Sequence, residues 1–369
     1  MRSREPMATL FLGGDVMLGR GVDQILRHPS RPRLHEPWVR DARDYVALAE
    51  GRNGPVPRRA GPGYPWGTAL AELAHAAPDL RLVNLETSVT RSDERWPGKG
   101  IHYRMHPDNA DCLAAAGIDL CVLANNHVLD WGRPGLLETL ETLEHLGIAT
   151  AGAGRNRDEA RRPAALATPA GGRVLVLAAA FGSSGVPEGW AAGPDTPGVF
   201  LASDDPDDAA EMCRIVAAER RAGDVAVASL HWGGNWGYEV PGVHRRFAHR
   251  LIDGGFDVVY GHSSHHPRPI ETYRDRLILY GCGDLLNDYE GISGHEEFRG
   301  DLSLMYFATL HAGGALERLR MFPLRIRKLS LETAALADAA WLREVLARES
   351  GPFGTHLDGQ ADGSIVLRS

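Results

Sequence analysis

The chain has 369 residues, of which 43% are hydrophobic and 24% charged, and it carries a formal net charge of −8. Such a length and balance can bury a large core and exclude a disordered or fibrous protein. The charges form no basic stripe, which argues against a nucleic-acid surface and leaves a small molecule or a peptide as the expected partner.

Cysteine usage and hydropathy narrow the setting. Cys112, Cys121, Cys213 and Cys282 are scattered, mostly in apolar runs, so neither a disulfide framework nor a CxxC metal site is expected. Reducing, cytoplasmic surroundings fit best. The stretch "MRSREPMATLFLGGD" lacks the apolar core of a signal peptide, and no run approaches the roughly 20 apolar residues of a membrane span. A soluble protein with no membrane partner is the expectation.

Short apolar runs alternate with amphipathic segments, the pattern of a layered α/β fold. Strands are predicted at "ATLFLGG" from residue 8, "LRLVNLE" from 80, "IDLCVLANN" from 118, "GIATAGA" from 147, "RVLVLAAA" from 173, "DVAVASLHW" from 224, "FDVVYGH" from 256 and "RLILYGCGD" from 276. Helices are predicted over about 68–77, from Pro107 through "PDNADCLAAAG", from 133, and over about 206–222 and 241–253. Later, "DLSLMYFATL" and "RLRMFPLRIR" alternate as an antiparallel pair, and a helix around 335–348 and a strand in "GSIVLRS" close the chain. Residues 51–65 and 183–198, rich in glycine and proline, read as loops. One domain is expected over 8–330, with the helix and strand of 331–369 packed against it.

The chemistry lies where the strands stop. Asp15 follows "LFLGG", Glu86 follows "LVNL", and Asn125, Asn126 and His127 follow "CVLA". His231 follows "AVASL", His262 follows "VVYG" and Asp284 follows "ILYGCG". In open α/β sheets ligands bind beyond the carboxyl ends of the strands, so these residues should converge. Singly, each has a plainer role as a cap, a turn former or a structural histidine. Together they supply carboxylate oxygens, an amide oxygen and imidazoles, the donor set of a divalent cation.

The motifs "GGDVMLGR", "NLETSV", "LANNHVLDWG", "SLHWG", "GHSSHHPRPIE" and "LYGCGDLLNDYEG", in that order, resemble the CapA family of capsule and poly-γ-glutamate proteins. The resemblance implies a calcineurin-like, four-layer metallophosphatase fold: two packed mixed β-sheets flanked by helices. It implies Asp15, Glu86, Asn126, His231 and His262 as metal ligands, and His127 as an acid/base group oriented by Asp130.

The departures from the phosphatase pattern are specific. Met17 stands where Asp-x-His would place a histidine, Glu86 replaces a bridging aspartate, and Gly-His-x-His reads Gly261, His262, Ser263, Ser264, with the next imidazole at His265. A two-metal site needs a full ligand set on both ions. A single divalent cation is therefore expected, with Ca²⁺ favoured and Mg²⁺, Mn²⁺ or Zn²⁺ as alternatives.

A soluble chain of this kind is also similar to lasso-peptide epimerases of the MslH type, which invert a carboxy-terminal Cα. The expected activity is accordingly metal-dependent epimerisation of a precursor peptide's carboxy-terminal residue, such as tryptophan. The alternative is a hydrolase or amide-bond enzyme of the phosphoesterase or polyglutamate type. Inversion needs acid/base groups on two sides of the carbon, and His262, His265 or His295 is the expected counterpart of His127, with Asp284 or Asp288 as orienter. Lys99, Tyr103 and Arg104 in "KGIHYRMHP" are candidates for a substrate carboxylate, and Trp232 and Trp236 in "HWGGNWGY" for an aromatic side chain. The plainer readings are a salt-bridged strand edge for Arg104, core packing for the tryptophans and a solvated loop for His295.

Overall fold

A computed structural model describes residues 7–169 and 171–367. The chain folds as mixed α/β, with two large mixed sheets flanked by helices. In the first sheet, strand Met7–Val16 runs parallel to Leu80–Leu85, which continues in parallel to Leu120–Val122 and Ala149–Ala151. On its other side Met7–Val16 pairs antiparallel with Leu302–His311, and that strand with Leu316–Ile326, as the alternation late in the sequence predicts. In the second sheet, Arg173–Phe181, Val225–His231, Val258–His262 and Arg276–Leu279 are all parallel neighbours.

Strand residues of the second sheet are buried on both faces, so they read as continuous apolar runs rather than alternating ones. Val174, Val176, Val227 and Val258 share a core with Leu10, Leu12 and Leu82 of the first sheet. Leu175, Leu177, Ala226 and Val259 face the other way, onto Met212 and Val216 of helix Pro206–Glu219 and Phe247 and Leu251 of helix Gly242–Asp253. Tyr260 ties the sheets together, its hydroxyl donating to the Gly13 carbonyl.

Helix Leu336–Ser350 follows, and strand Ile365–Leu367 extends the first sheet by pairing with Leu316–Ile326. Arg368 and Ser369 of the expected last strand, like residues 1–6, lie outside the described residues. The free cysteines are Cys112, Cys121, Cys213 and Cys282, three of them buried. Among the described residues no helix is long and apolar enough to cross a membrane.

One expected strand divides. "RLILYGCGD" leaves the second sheet after Leu279, and Asp284 opens a short strand, Asp284–Leu286, parallel to Met7–Val16 in the first sheet. Glycines make the crossing possible: a Cβ on Gly14 would lie 1.8 Å from the Gly283 carbonyl oxygen. That same carbonyl accepts from the Asp15 amide at 3.0 Å, setting Asp15 beside Asp284. Gly14→Ala is expected to lower stability by about 3 kcal/mol or more in urea unfolding, since backbone rather than a side chain has to move. Helices Arg20–Ile25 and Arg43–Asn53 were not anticipated, because their apolar residues show little helical periodicity in "RGVDQI" and "RDYVALAEGRN".

Candidate metal and acid/base site

Register builds the centre of the site. The parallel pairing of the first two strands sets Asp15 opposite Asn84, and a local irregularity in that pairing precedes Asp15. In the second sheet, His231 and His262 end adjacent parallel strands in direct register. Asp15, Glu86 and His231 each offer a ligand atom, and these atoms all lie within 4.8 Å of one another. All three residues are buried.

The imidazoles around this cluster are oriented. His262 Nε2 sits 3.0 Å from the Ser229 hydroxyl, which turns Nδ1 to 3.3 Å from Asp15. His231 Nδ1 lies 3.4 Å from the Asn84 amide, and its Nε2 lies 3.9 Å from Glu86. His231 Nε2, His262 Nδ1 and Asn126 Oδ1 are buried atoms with no hydrogen-bond partner among the described residues. Three orphaned acceptor-capable atoms from the expected ligand residues, with two buried carboxylates, fit a divalent cation.

The electrostatics point the same way. Burial and the neighbouring Asp15 push the Glu86 carboxyl well above its ordinary range. Burial also opposes charge on Asp15, but His262 and His231 beside it hold its carboxyl below the ordinary range. Burial keeps His231 neutral, pulling it down to about 3. Two carboxyls in one buried cluster beside the neutral His231 ring need a cation to ionise both.

Two histidine–carboxylate pairs flank the cluster. His127 Nδ1 is 2.6 Å from Asp130, and its Nε2 faces Glu86 at 3.9 Å. Asp130 also accepts from the Tyr103 amide at 2.7 Å and from the Lys99 ammonium, which sits 3.3 Å from His127 Nδ1. Burial depresses His127 to about 4 despite Asp130. His265 Nδ1 is 2.9 Å from Asp284, and its Nε2 is 3.0 Å from the Asn235 amide. Burial works against charge on His265, yet Asp284 outweighs it and raises the ring above its ordinary value.

Other expected site residues are placed as follows. Arg104 is committed elsewhere: its guanidinium donates to the Ser92 and Arg31 carbonyls and to Asp93 and lies over Trp131. Trp232 is fully buried, stacked on His244 and Tyr280, with Nε1 donating to the Tyr280 carbonyl, so it packs the core instead of lining a pocket. Trp236 lies 5.3 Å from the His265 ring and stacks on exposed His295 at 4.1 Å. His295 is thereby joined to the site through Trp236. Tyr103 packs edge-on against His127 at 4.6 Å, and its hydroxyl donates to Tyr289.

Several members were not singled out from the sequence. Asn84 donates to Asp15 at 2.8 Å and to Glu86 at 3.1 Å, and accepts from Asn125 at 3.0 Å. Its signal was legible: it stands two residues before Glu86 on a strand, hence on the same face. Ser229 bears the same relation to His231. Arg20 forms a buried fork to Asp288 at 2.5 and 3.1 Å and also reaches Glu36, so Asp288 holds an arginine rather than a histidine ring. Ser263 adopts φ 91°, a strained value for a side-chain-bearing residue, and its amide reaches Asp15 at 3.2 Å.

Comparison with known proteins places the chain in a family. The family described as bacterial capsule synthesis protein PGA_cap matches residues 9–289, and the chain belongs to it. A "Probable polyglutamine synthesis accessory protein" of Mycobacterium tuberculosis is 49% identical over 370 residues, covering 100% of this chain and 97% of that protein. The "PGA biosynthesis protein CapA" of Bacillus subtilis is 27% identical over 213 residues, 58% of this chain and 54% of that one. Among solved structures, a 5'-nucleotidase precursor from Thermus thermophilus aligns over 94% of this chain and 59% of its own, with 14% identity and a TM-score of 0.48.

Proposed function

We propose that the protein is a metal-dependent acid/base enzyme acting on an amide-linked chain of the polyglutamine or polyglutamate kind, as a hydrolase or amide-bond enzyme. The supporting observation is the pair of oppositely tuned histidines around one cluster of metal donors. Burial lowers His127 and so favours its free base, while Asp284 raises His265 and so favours its protonated form. Environments that push two like groups apart in this way divide the roles of base and acid. His127 would take a proton from the attacking group, and His265 would return one to the departing amine. Held by these donors, a divalent cation would supply positive charge to offset the negative charge that develops on the amide carbonyl oxygen.

Asp15, Glu86, Asn126, His231 and His262 would hold the ion. Two imidazoles among the donors favour Mn²⁺ or Zn²⁺ over the Ca²⁺ expected from sequence, since Ca²⁺ prefers oxygen throughout. The same opposed pair supports a second reading, inversion at a carboxy-terminal Cα, in which one histidine removes and the other returns the proton.

A single experiment distinguishes the two readings. Metal-loaded protein is incubated in D₂O with poly-γ-glutamate and with glutamine oligopeptides, and products are followed by mass, chain length and chirality. Shortened chains without deuterium at Cα are expected. A one-dalton gain with inversion and no cleavage would replace the first reading by the second. Turnover of p-nitrophenyl phosphate with both polymers untouched would overturn both.

A further inference from the structure

The structure projects one tryptophan outward on a built support. Residues 33–41 form a hairpin-like loop: Leu34 N donates to the Arg40 carbonyl at 2.9 Å, Ala42 N donates to the Pro32 carbonyl at 2.7 Å, and Arg33 bridges Asp41 antiparallel. At its tip Trp38 is 92% exposed, the most exposed large hydrophobic residue among those described. The adjoining side chains anchor the loop from within. Glu36 is buried against Arg20 and Tyr45, and Leu34 packs with Ala42 and Tyr45. A tryptophan held out by a loop whose neighbours are pinned is a directed projection, not a loose end.

Its surroundings are cationic. Arg33 and Arg40 flank the tip, both are exposed, and neither has an ion-pair partner within 4 Å among the described residues. In a chain of net charge −8, residues 27–59 carry eight arginines against four acidic residues, a local reversal of sign. The loop therefore offers an indole and unpaired guanidinium groups together. Indoles favour the boundary between water and hydrocarbon, and each cation near an anionic headgroup adds attraction.

We propose that the 33–41 hairpin docks the protein on an anionic lipid surface, with Trp38 entering the headgroup region and Arg33 and Arg40 contacting lipid phosphates. One inserted residue gives only marginal binding, so the indole and the charges have to act together. The docking is peripheral and reversible. It departs from the expectation of no membrane partner, which rested on the lack of a spanning segment and did not address surface binding. Arg20, which Glu36 anchors, is joined through Asp288 to the chain beside the acid/base site, so the hairpin's support and that site share one buried hydrogen-bond network. The inference is independent of the reaction catalysed.

Flotation of the full chain with vesicles tests it directly. Wild-type protein is expected to float with phosphatidylcholine vesicles containing about 30% phosphatidylglycerol, to stay behind with phosphatidylcholine alone, and to be released at high salt. Trp38→Ala, and separately Arg33→Glu with Arg40→Glu, are expected to cut partitioning by at least about tenfold while leaving the thermal midpoint and bound metal unchanged. Trp38→Phe should remove a blue shift of fluorescence that wild-type shows on adding vesicles. No flotation on anionic vesicles, or flotation indifferent to these substitutions, would overturn the proposal. So would a solution dimer that Trp38→Ala dissociates, since the hairpin would then be covered by a second copy.

Discussion

Asp15→Asn is expected to lower divalent-metal affinity by at least about a hundredfold and to abolish turnover, with the fold retained. Substituting groups that only orient a ligand already costs roughly ten- to a hundredfold in other metal sites, and Asp15 supplies a donor atom itself. Asp15 also stands at the junction of the site: Asn84 and Ser263 donate to it, and His262 lies 3.3 Å away. Asparagine keeps the shape and preserves an acceptor, so folding should survive. Isothermal titration with Mn²⁺ and elemental analysis of the purified variant read the effect. Arg104→Ala serves as contrast, because that guanidinium is bonded away from the cluster; it should keep its metal while losing stability. Stoichiometric metal retained by Asp15→Asn would place the ion elsewhere.

Acid is expected to destabilise the metal-free protein strongly between pH 7 and pH 5. Burial holds His127, His231 and His266 at about 4, 3 and 4, against 6.5 for an exposed ring. Their folded values lie below the unfolded one, so the unfolded chain takes up protons first as pH falls. Their stabilisation is thus present above about pH 6.5 and is lost as pH falls toward 3 to 4. From pH 7 to pH 5 the three rings account for a loss on the order of 6 kcal/mol. Glu86, Asp284 and His265, all raised, take up protons in the folded state and oppose this. The loss from the three neutral rings is expected to exceed this gain, leaving a net fall in stability. Urea unfolding at the two pH values measures it, and an unchanged unfolding free energy would refute it. Bound metal should steepen the dependence, because protons compete with the ion for His231 and Glu86.

Most of the buried carboxylate and imidazole cluster was legible because strand ends converge by topology. Once Asp15, Glu86, His231 and His262 are read as ending strands of an α/β sheet, their proximity needs no knowledge of loop conformation. Asp284 was placed correctly in space for a partly wrong reason. It begins a strand of the first sheet, after glycines carry the chain across, and the sequence shows only one continuous apolar run. For Arg104 and Trp232 the sequence left two readings open, because residue type tells what a side chain can bond, not which partner lies nearest. A buried arginine takes the first carbonyls and carboxylate that satisfy it, and a buried tryptophan takes the nearest rings. Asn84 escaped notice because an asparagine inside an apolar strand looks like a minor interruption.

The sequence by itself determined the layered α/β class, the order of the main strands and the chemical inventory at their ends, since periodicity and strand-terminal polarity are local properties of the chain. Only the tertiary structure decided how that inventory is divided. Which imidazole nitrogen is orphaned depends on whether Ser229, Asn84 or a carboxylate reaches the other one. Which histidine stays neutral and which holds a proton depends on burial and on the carboxylate each ring touches, Asp130 beside His127 and Asp284 beside His265. Electrostatic interaction falls with distance through space and not along the chain, so the donor set could be listed in advance and its protonation could not.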